Sequence, residues 1–116
     1  MNGRFSNLDE FWPFYLSQHL NRTNRRLHFA GTTAALLLIV LAAALRAPRL
    51  LAAAPLAGYG FAWAGHFFFE KNSPATFQHP LLSFRADFRM YALIWTSELD
   101  AELLLRMKDI RRYAAD

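Results

Sequence analysis

From Leu27 to Leu45, and again from Leu50 to Phe69, the chain carries no formally charged side chain. Only a short turn through Arg46, Pro48 and Arg49 separates the two stretches. A helix needs about 20 apolar residues to cross the hydrocarbon core of a bilayer, and both stretches meet that requirement. A soluble helical protein of 116 residues rarely needs even one such run. Two of them, joined this closely, predict antiparallel neighbours forming a hairpin in the membrane. The expected fold is therefore all-α: an integral membrane helical bundle of about four helices, one domain over residues 1–116.

The charges agree with that placement. Apolar residues make up 54% of the chain, a modest value for a membrane protein, because they are concentrated in the two runs. The net charge of +4 comes mostly from arginine. Arg22, Arg25 and Arg26 precede the first run, Arg46 and Arg49 lie between the runs, and Arg85 and Arg89 follow. Arginines flanking apolar spans reach for lipid phosphates or snorkel out of the core, so membrane lipid is the expected partner and nucleic acid is not. The basic residues at the outer flanks slightly exceed those in the turn, which places both termini on the cytoplasmic side. The first 26 residues hold no early apolar core, so the first span is expected to act as its own insertion signal. With no cysteine, disulfides and thiolate metal sites are excluded.

Local patterns fill in the rest. Ser6 followed by Asp9 reads as a helix start, with Phe11, Tyr15 and His19 on one face of a helix running to about Leu20. Gly31 to Ala35 are small and allow a neighbouring helix to pack closely. Pro55, Gly58, Gly60 and Gly65 predict a bend or a thin contact face in the second run. Pro74 and Pro80 bracket an irregular loop. From Leu81 to Ile110 apolar residues recur at three- and four-residue steps, predicting one long helix. Its front half could lie deep in the membrane, with Arg85, Asp87 and Arg89 turned toward protein, and its back half is a water-exposed tail.

Each of the four histidines lies at the edge of an apolar span. In a hairpin, His28 opens the first span and His66 closes the second, so they share a membrane face. His19 precedes the pair and His79 follows it on that same side. Neutral imidazoles are good ligands for iron, zinc or copper, and an all-nitrogen site with an open position suits oxygen chemistry at iron. Glu70, four residues after His66, could complete the sphere or orient a ligand ring. Plainer readings stand beside these: His66 and Glu70 as a helical ion pair, Asn24 as interhelical glue. Arg25 and Arg26 are solvated or phosphate-facing, or one of them clamps a fatty carboxylate. Nucleophile elbows, phosphate-binding glycine loops and zinc-protease signatures are absent.

The segments HLNRTNRRLHFAGT, from His19, and GHFFFEKNSPATFQHPLLSFRADFRM, from Gly65, resemble the family catalogued as domain of unknown function 962, the yeast-type 2-hydroxy fatty acid dioxygenases of phytosphingosine breakdown. The family's His, Asn-Arg and His before the first span are matched by His19, Asn24, Arg25 and His28. Its Gly-His, aromatic and Glu, Asn-x-Pro-Ala and His-Pro are matched by Gly65, His66, Glu70, Asn72, Pro74, Ala75, His79 and Pro80. The resemblance implies an iron(II)-dependent, haem-free alpha-oxidation: a 2-hydroxy fatty acid and dioxygen give a fatty acid one carbon shorter. It implies that the histidines, His19, His28, His66 and His79, hold the iron. Glu70 and Asn24 are then expected as catalytic supporting groups and Arg25 as the carboxylate clamp. Asp87 would fix a histidine or an arginine. The Ala- and Arg-rich composition points to a bacterial inner membrane, and self-association is left open. A non-catalytic bundle and a haem-binding bundle with two facing histidines are the alternatives.

Overall fold

The structure, a computed structural model, describes residues 5–114. The described residues form six α-helices and no strand: α1 Leu8–Ser17, α2 Arg22–Leu45, α3 Arg49–Ala64, α4 Pro80–Trp95, α5 Leu99–Leu105 and α6 Met107–Ala114. A π-helical turn, Gly65–Glu70, continues α3, and a 3-10 turn, Ala75–Phe77, precedes α4. Helices outnumber the expected four because the long stripe after Leu81 is broken twice. The contacts of the chain gather into two compact units, residues 21–71 and residues 1–20 with 72–116.

The first of these units is the hairpin of α2 and α3. Asn21 caps α2, its side chain accepting the Asn24 N–H at 3.1 Å. At the far end Arg46 adopts the left-handed conformation (φ 53°), and the Ala47 N–H reaches back to the Ala42 carbonyl at 2.9 Å. That closure ends α2 at once and sends the chain into α3. The two helices meet through small residues. A Cβ on Gly31 would stand 2.8 Å from the Phe61 Cβ and 2.9 Å from the Gly58 carbonyl oxygen, so only glycine permits this approach. Ala42, Ala54 and Ala62 are buried along the same seam, whereas Leu37, Val40, Leu56 and Phe68 are exposed. Small residues inside and large apolar residues outside is the arrangement favoured where lipid is the solvent.

One helix of the hairpin, α2, is long and apolar enough to cross a membrane. The second expected span differs: it is α-helical for only 16 residues and then widens into the π turn at Gly65. Pro55 lies within α3 without ending it.

The other unit is built on aromatic packing. Asn7, rather than Ser6, caps α1 by accepting the Glu10 N–H at 2.9 Å, while the Ser6 hydroxyl and N–H both bind the Glu10 carboxylate. Phe11, Trp12, Tyr15 and Leu16 are fully buried against Ala86 and Met90 of α4, Leu99 and Leu103 of α5 and Ile110 of α6. The Trp12 Nε1–H donates to Glu102 at 2.7 Å, and Arg106 meets the same carboxylate oxygen at 3.1 Å. The stripe from Leu81 to Ile110 is therefore real but folded. Thr96 follows α4, Ser97 turns left-handed (φ 61°), and the Glu98 N–H closes on the Leu93 carbonyl at 2.9 Å. Leu99, Leu103 and Ile110 are thereby folded back into the core instead of lying on an exposed tail. Arg85 is exposed, not turned into the protein as its position suggested.

Candidate metal centre

Three buried histidines, His19, His28 and His66, could each give a ring nitrogen to a metal ion. Two of them meet within the hairpin unit. His28 sits in the second turn of α2 and His66 in the π turn after α3. Their rings stand perpendicular (88°) with centroids 4.9 Å apart, and a ring nitrogen of each lies within 4.8 Å of the other. Metal–nitrogen bonds of about 2.0–2.1 Å place two ligands on one ion about 3–4 Å apart, so the pair fits an ion after a small rotation.

The surroundings of this pair are held by Glu70 and Asn24. One carboxylate oxygen of Glu70 accepts both the Asn21 backbone N–H (2.9 Å) and the Asn24 Nδ2–H (3.0 Å). Asn21 Nδ2 also donates to the Phe69 carbonyl at 3.3 Å. The end of the π turn is thus tied to the first turn of α2. Gly65 makes this possible, because a Cβ there would lie 2.1 Å from the Asn24 Oδ1.

His66 and Glu70, four residues apart, share one side of the π turn: His66 is buried and Glu70 bonds Asn21 and Asn24, while Phe67, Phe68 and Phe69 are exposed. The Lys71 N–H bonds the His66 carbonyl, and Lys71 leaves the turn in the left-handed conformation (φ 61°). Arg25, the expected carboxylate clamp, is buried at the start of α2.

His19 and His79 belong to the other unit. His19 follows α1, where its Nδ1–H donates to the Tyr15 carbonyl at 2.7 Å and its ring stacks on the Tyr15 ring at 4.0 Å. An imidazole with Nδ1–H committed to a carbonyl carries its lone pair on Nε2, the tautomer and restraint common to metal-bound histidines. Tyr15 is itself sandwiched by Trp12, 5.6 Å away and nearly parallel, and its hydroxyl donates to Asp87. Burial pushes the Tyr15 hydroxyl above its ordinary pKa and the Asp87 carboxyl up to about 7, with the Tyr15 hydrogen bond acting against the Asp87 shift. His79 is the residue just before α4 and is buried edge-on among Phe5, Phe11 and Phe14, at 5.3, 5.4 and 6.3 Å. Asn72, in the loop before it, donates to the Gln18 carbonyl at 3.2 Å.

The structure thus brings His28, His66, Asn24 and Glu70 into one cluster, and places His19 on a restrained ring beside the Tyr15–Asp87 pair. Sequence reading missed Asn21 and the bond of Tyr15 to Asp87. Of Gly65 it expected a bend or a thin contact face, and the structure has Asn24 packed directly against it.

A family model described as 2-hydroxy-palmitic acid dioxygenase Mpo1-like matches residues 5–99, which takes in all four histidines, Asn24, Arg25, Glu70 and Asp87. No curated protein and no solved structure matches the chain. With the match running through most of its length, the chain belongs to the Mpo1-like family.

Proposed function

We propose that this protein is an iron(II)-dependent dioxygenase that converts 2-hydroxy fatty acids and dioxygen into fatty acids one carbon shorter. The observation that carries this reading is the buried His28–His66 pair, tied through Asn24 and Glu70, inside a match to a family described by 2-hydroxy-palmitic acid dioxygenase. His19 and His79 are the further proposed ligands. An all-imidazole donor set suits iron(II), which when bound supplies the affinity for dioxygen that organic side chains lack.

The chain's own residues supply position and restraint. Glu70 holds the first turn of α2 against the π turn, so that His28 and His66 keep their mutual distance. Burial of both rings excludes water from their surroundings. Arg25 offers a guanidinium for the substrate carboxylate, a pairing that its planar fork makes bidentate. The overall reaction balances with dioxygen as sole oxidant: C1 leaves as carbon dioxide, C2 becomes the new carboxyl carbon, and one water forms. The acyl chain calls for an apolar medium, and the exposed leucine and phenylalanine side chains of α2 and α3 offer one if the hairpin lies in a membrane, the bacterial inner membrane on composition. Residues 1–116 act as one membrane-embedded domain in this proposal, a view supported by a single family match that takes in parts of both units.

The test is elemental analysis of purified protein beside oxygen consumption with 2-hydroxypalmitate. Iron without a Soret band, with turnover lost in His28→Ala and His66→Ala, is the expected result. A Soret band would point to haem, and unchanged metal content and turnover in both variants would refute the dioxygenase reading.

A further inference from the structure

Helix α4 has two unlike faces. Ser83, Ala86 and Met90 are buried, Ala86 and Met90 in the aromatic core. On the opposite side Leu81 (69% exposed), Phe84 (50%), Phe88 (42%) and Trp95 (65%) form one stripe, with exposed Ala92 between them and exposed Arg85 at its margin. The aromatic rings pack along the helix, Phe84 on Phe88 at 5.1 Å and Tyr91 on Trp95 at 6.3 Å. The helix has one carboxylate, Asp87, and that group is half-buried and bonded to Tyr15. The exposed face is therefore large, apolar and aromatic, and its charge is basic only.

We propose that this face of α4 docks in the plane of the membrane–water interface, with its aromatic stripe among the upper acyl chains and Arg85 on anionic lipid headgroups. Length argues against crossing: 16 residues at 1.5 Å rise make about 24 Å, short of a hydrocarbon core of about 30 Å. Composition argues for lying flat, since a basic margin around an apolar, Trp- and Phe-bearing stripe is the signature of interfacial helices. Arg85 gives the complementarity to a negatively charged leaflet that an apolar protein partner would not use. Docking of α4 is separate from insertion of the α2–α3 hairpin, because it concerns a different helix in the other unit.

The chain has no native cysteine, so single-cysteine variants of the full protein can carry a nitroxide label without background. Leu81→Cys, Phe84→Cys, Phe88→Cys and Trp95→Cys are reconstituted into vesicles of phosphatidylcholine with phosphatidylglycerol, with Ala101→Cys at an exposed position of α5 as the aqueous control. The expected result is a shift at the four stripe positions toward oxygen over a water-soluble nickel chelate in relaxing the label, and none at Ala101. That shift should grow with phosphatidylglycerol content, and Arg85→Gln should remove the growth. Stripe labels as open to the chelate as Ala101 would overturn the proposal, as would spin–spin broadening showing that a second copy covers the face. Labelling several positions guards against one variant that fails to fold.

Discussion

Replacing Gly65 with alanine should damage the candidate metal centre from a position that donates no ligand. The helical φ of Gly65 (−61°) suits alanine, and by helix propensity alone the change should stabilise by about 1 kcal/mol. The new Cβ, however, would stand 2.1 Å from the Asn24 Oδ1, 3.0 Å from its Cγ and 3.2 Å from its Cα, where ordinary contact begins at 3.4 Å. The Asn24 side chain must leave, taking with it the 3.0 Å bond to Glu70. Loss of a hydrogen bond to a charged group costs about 1.5–3 kcal/mol. The residual contact with the Asn24 Cα still forces α2 and the π turn apart by a few tenths of an ångström, and overpacking of this kind costs about 1–3 kcal/mol. The net expectation is destabilisation by about 2–4 kcal/mol. Thermal unfolding in detergent, with iron content measured in parallel, is the assay. Gly60→Ala is the control, since a Cβ there meets nothing within 4 Å, and it should unfold no earlier than wild type. If the clash acts through the Asn24 side chain, Gly65→Ala made in an Asn24→Ala background should cost much less than in wild type. Wild-type stability and iron content in Gly65→Ala would refute the reasoning.

Gly31→Ala should destabilise the hairpin by about 1–3 kcal/mol, because the Gly58 carbonyl cannot rotate away as a side chain can; an unchanged melting temperature would count against the close approach of α2 and α3. Asp87 titrates at about 7 in the folded chain against 3.8 in its ordinary state, so between those values the folded protein holds the extra proton and loses stability as the pH rises. Relative to Asp87→Asn, wild type should lose up to about 4 kcal/mol between pH 4 and 8, and parallel pH–stability curves for the two proteins would contradict this. His79→Phe keeps an aromatic ring among Phe5, Phe11 and Phe14 and is expected to fold while losing iron occupancy; full retention of iron would remove His79 from the ligand set.

The hairpin was legible because its signals are local and strong: an uncharged run, a turn rich in Arg and Pro, and small residues at one helical face. The pairing of His28 with His66 followed from antiparallel geometry, and the structure brings their rings together. What the sequence concealed has three physical origins. Helical periodicity measures the face of a helix and not its continuity, so the breaks at Ser97 and Arg106 left the stripe of Leu99, Leu103 and Ile110 intact while folding it back. A π turn has no composition of its own, and Gly65 to Glu70 reads as ordinary helix until the bonding of Lys71 to His66 is seen. The Tyr15–Asp87 bond joins residues far apart in the chain whose types signal nothing alone.

The two imidazoles at the open end of the hairpin stand on opposite arms of it. A chain halted within α3 during synthesis has made His28 and not His66, so no two-ring cradle exists until the arm beyond Pro48 is complete and has doubled back. If the pair holds an ion as proposed, its capture follows the folding of the hairpin, and a bound ion would report that the hairpin has closed.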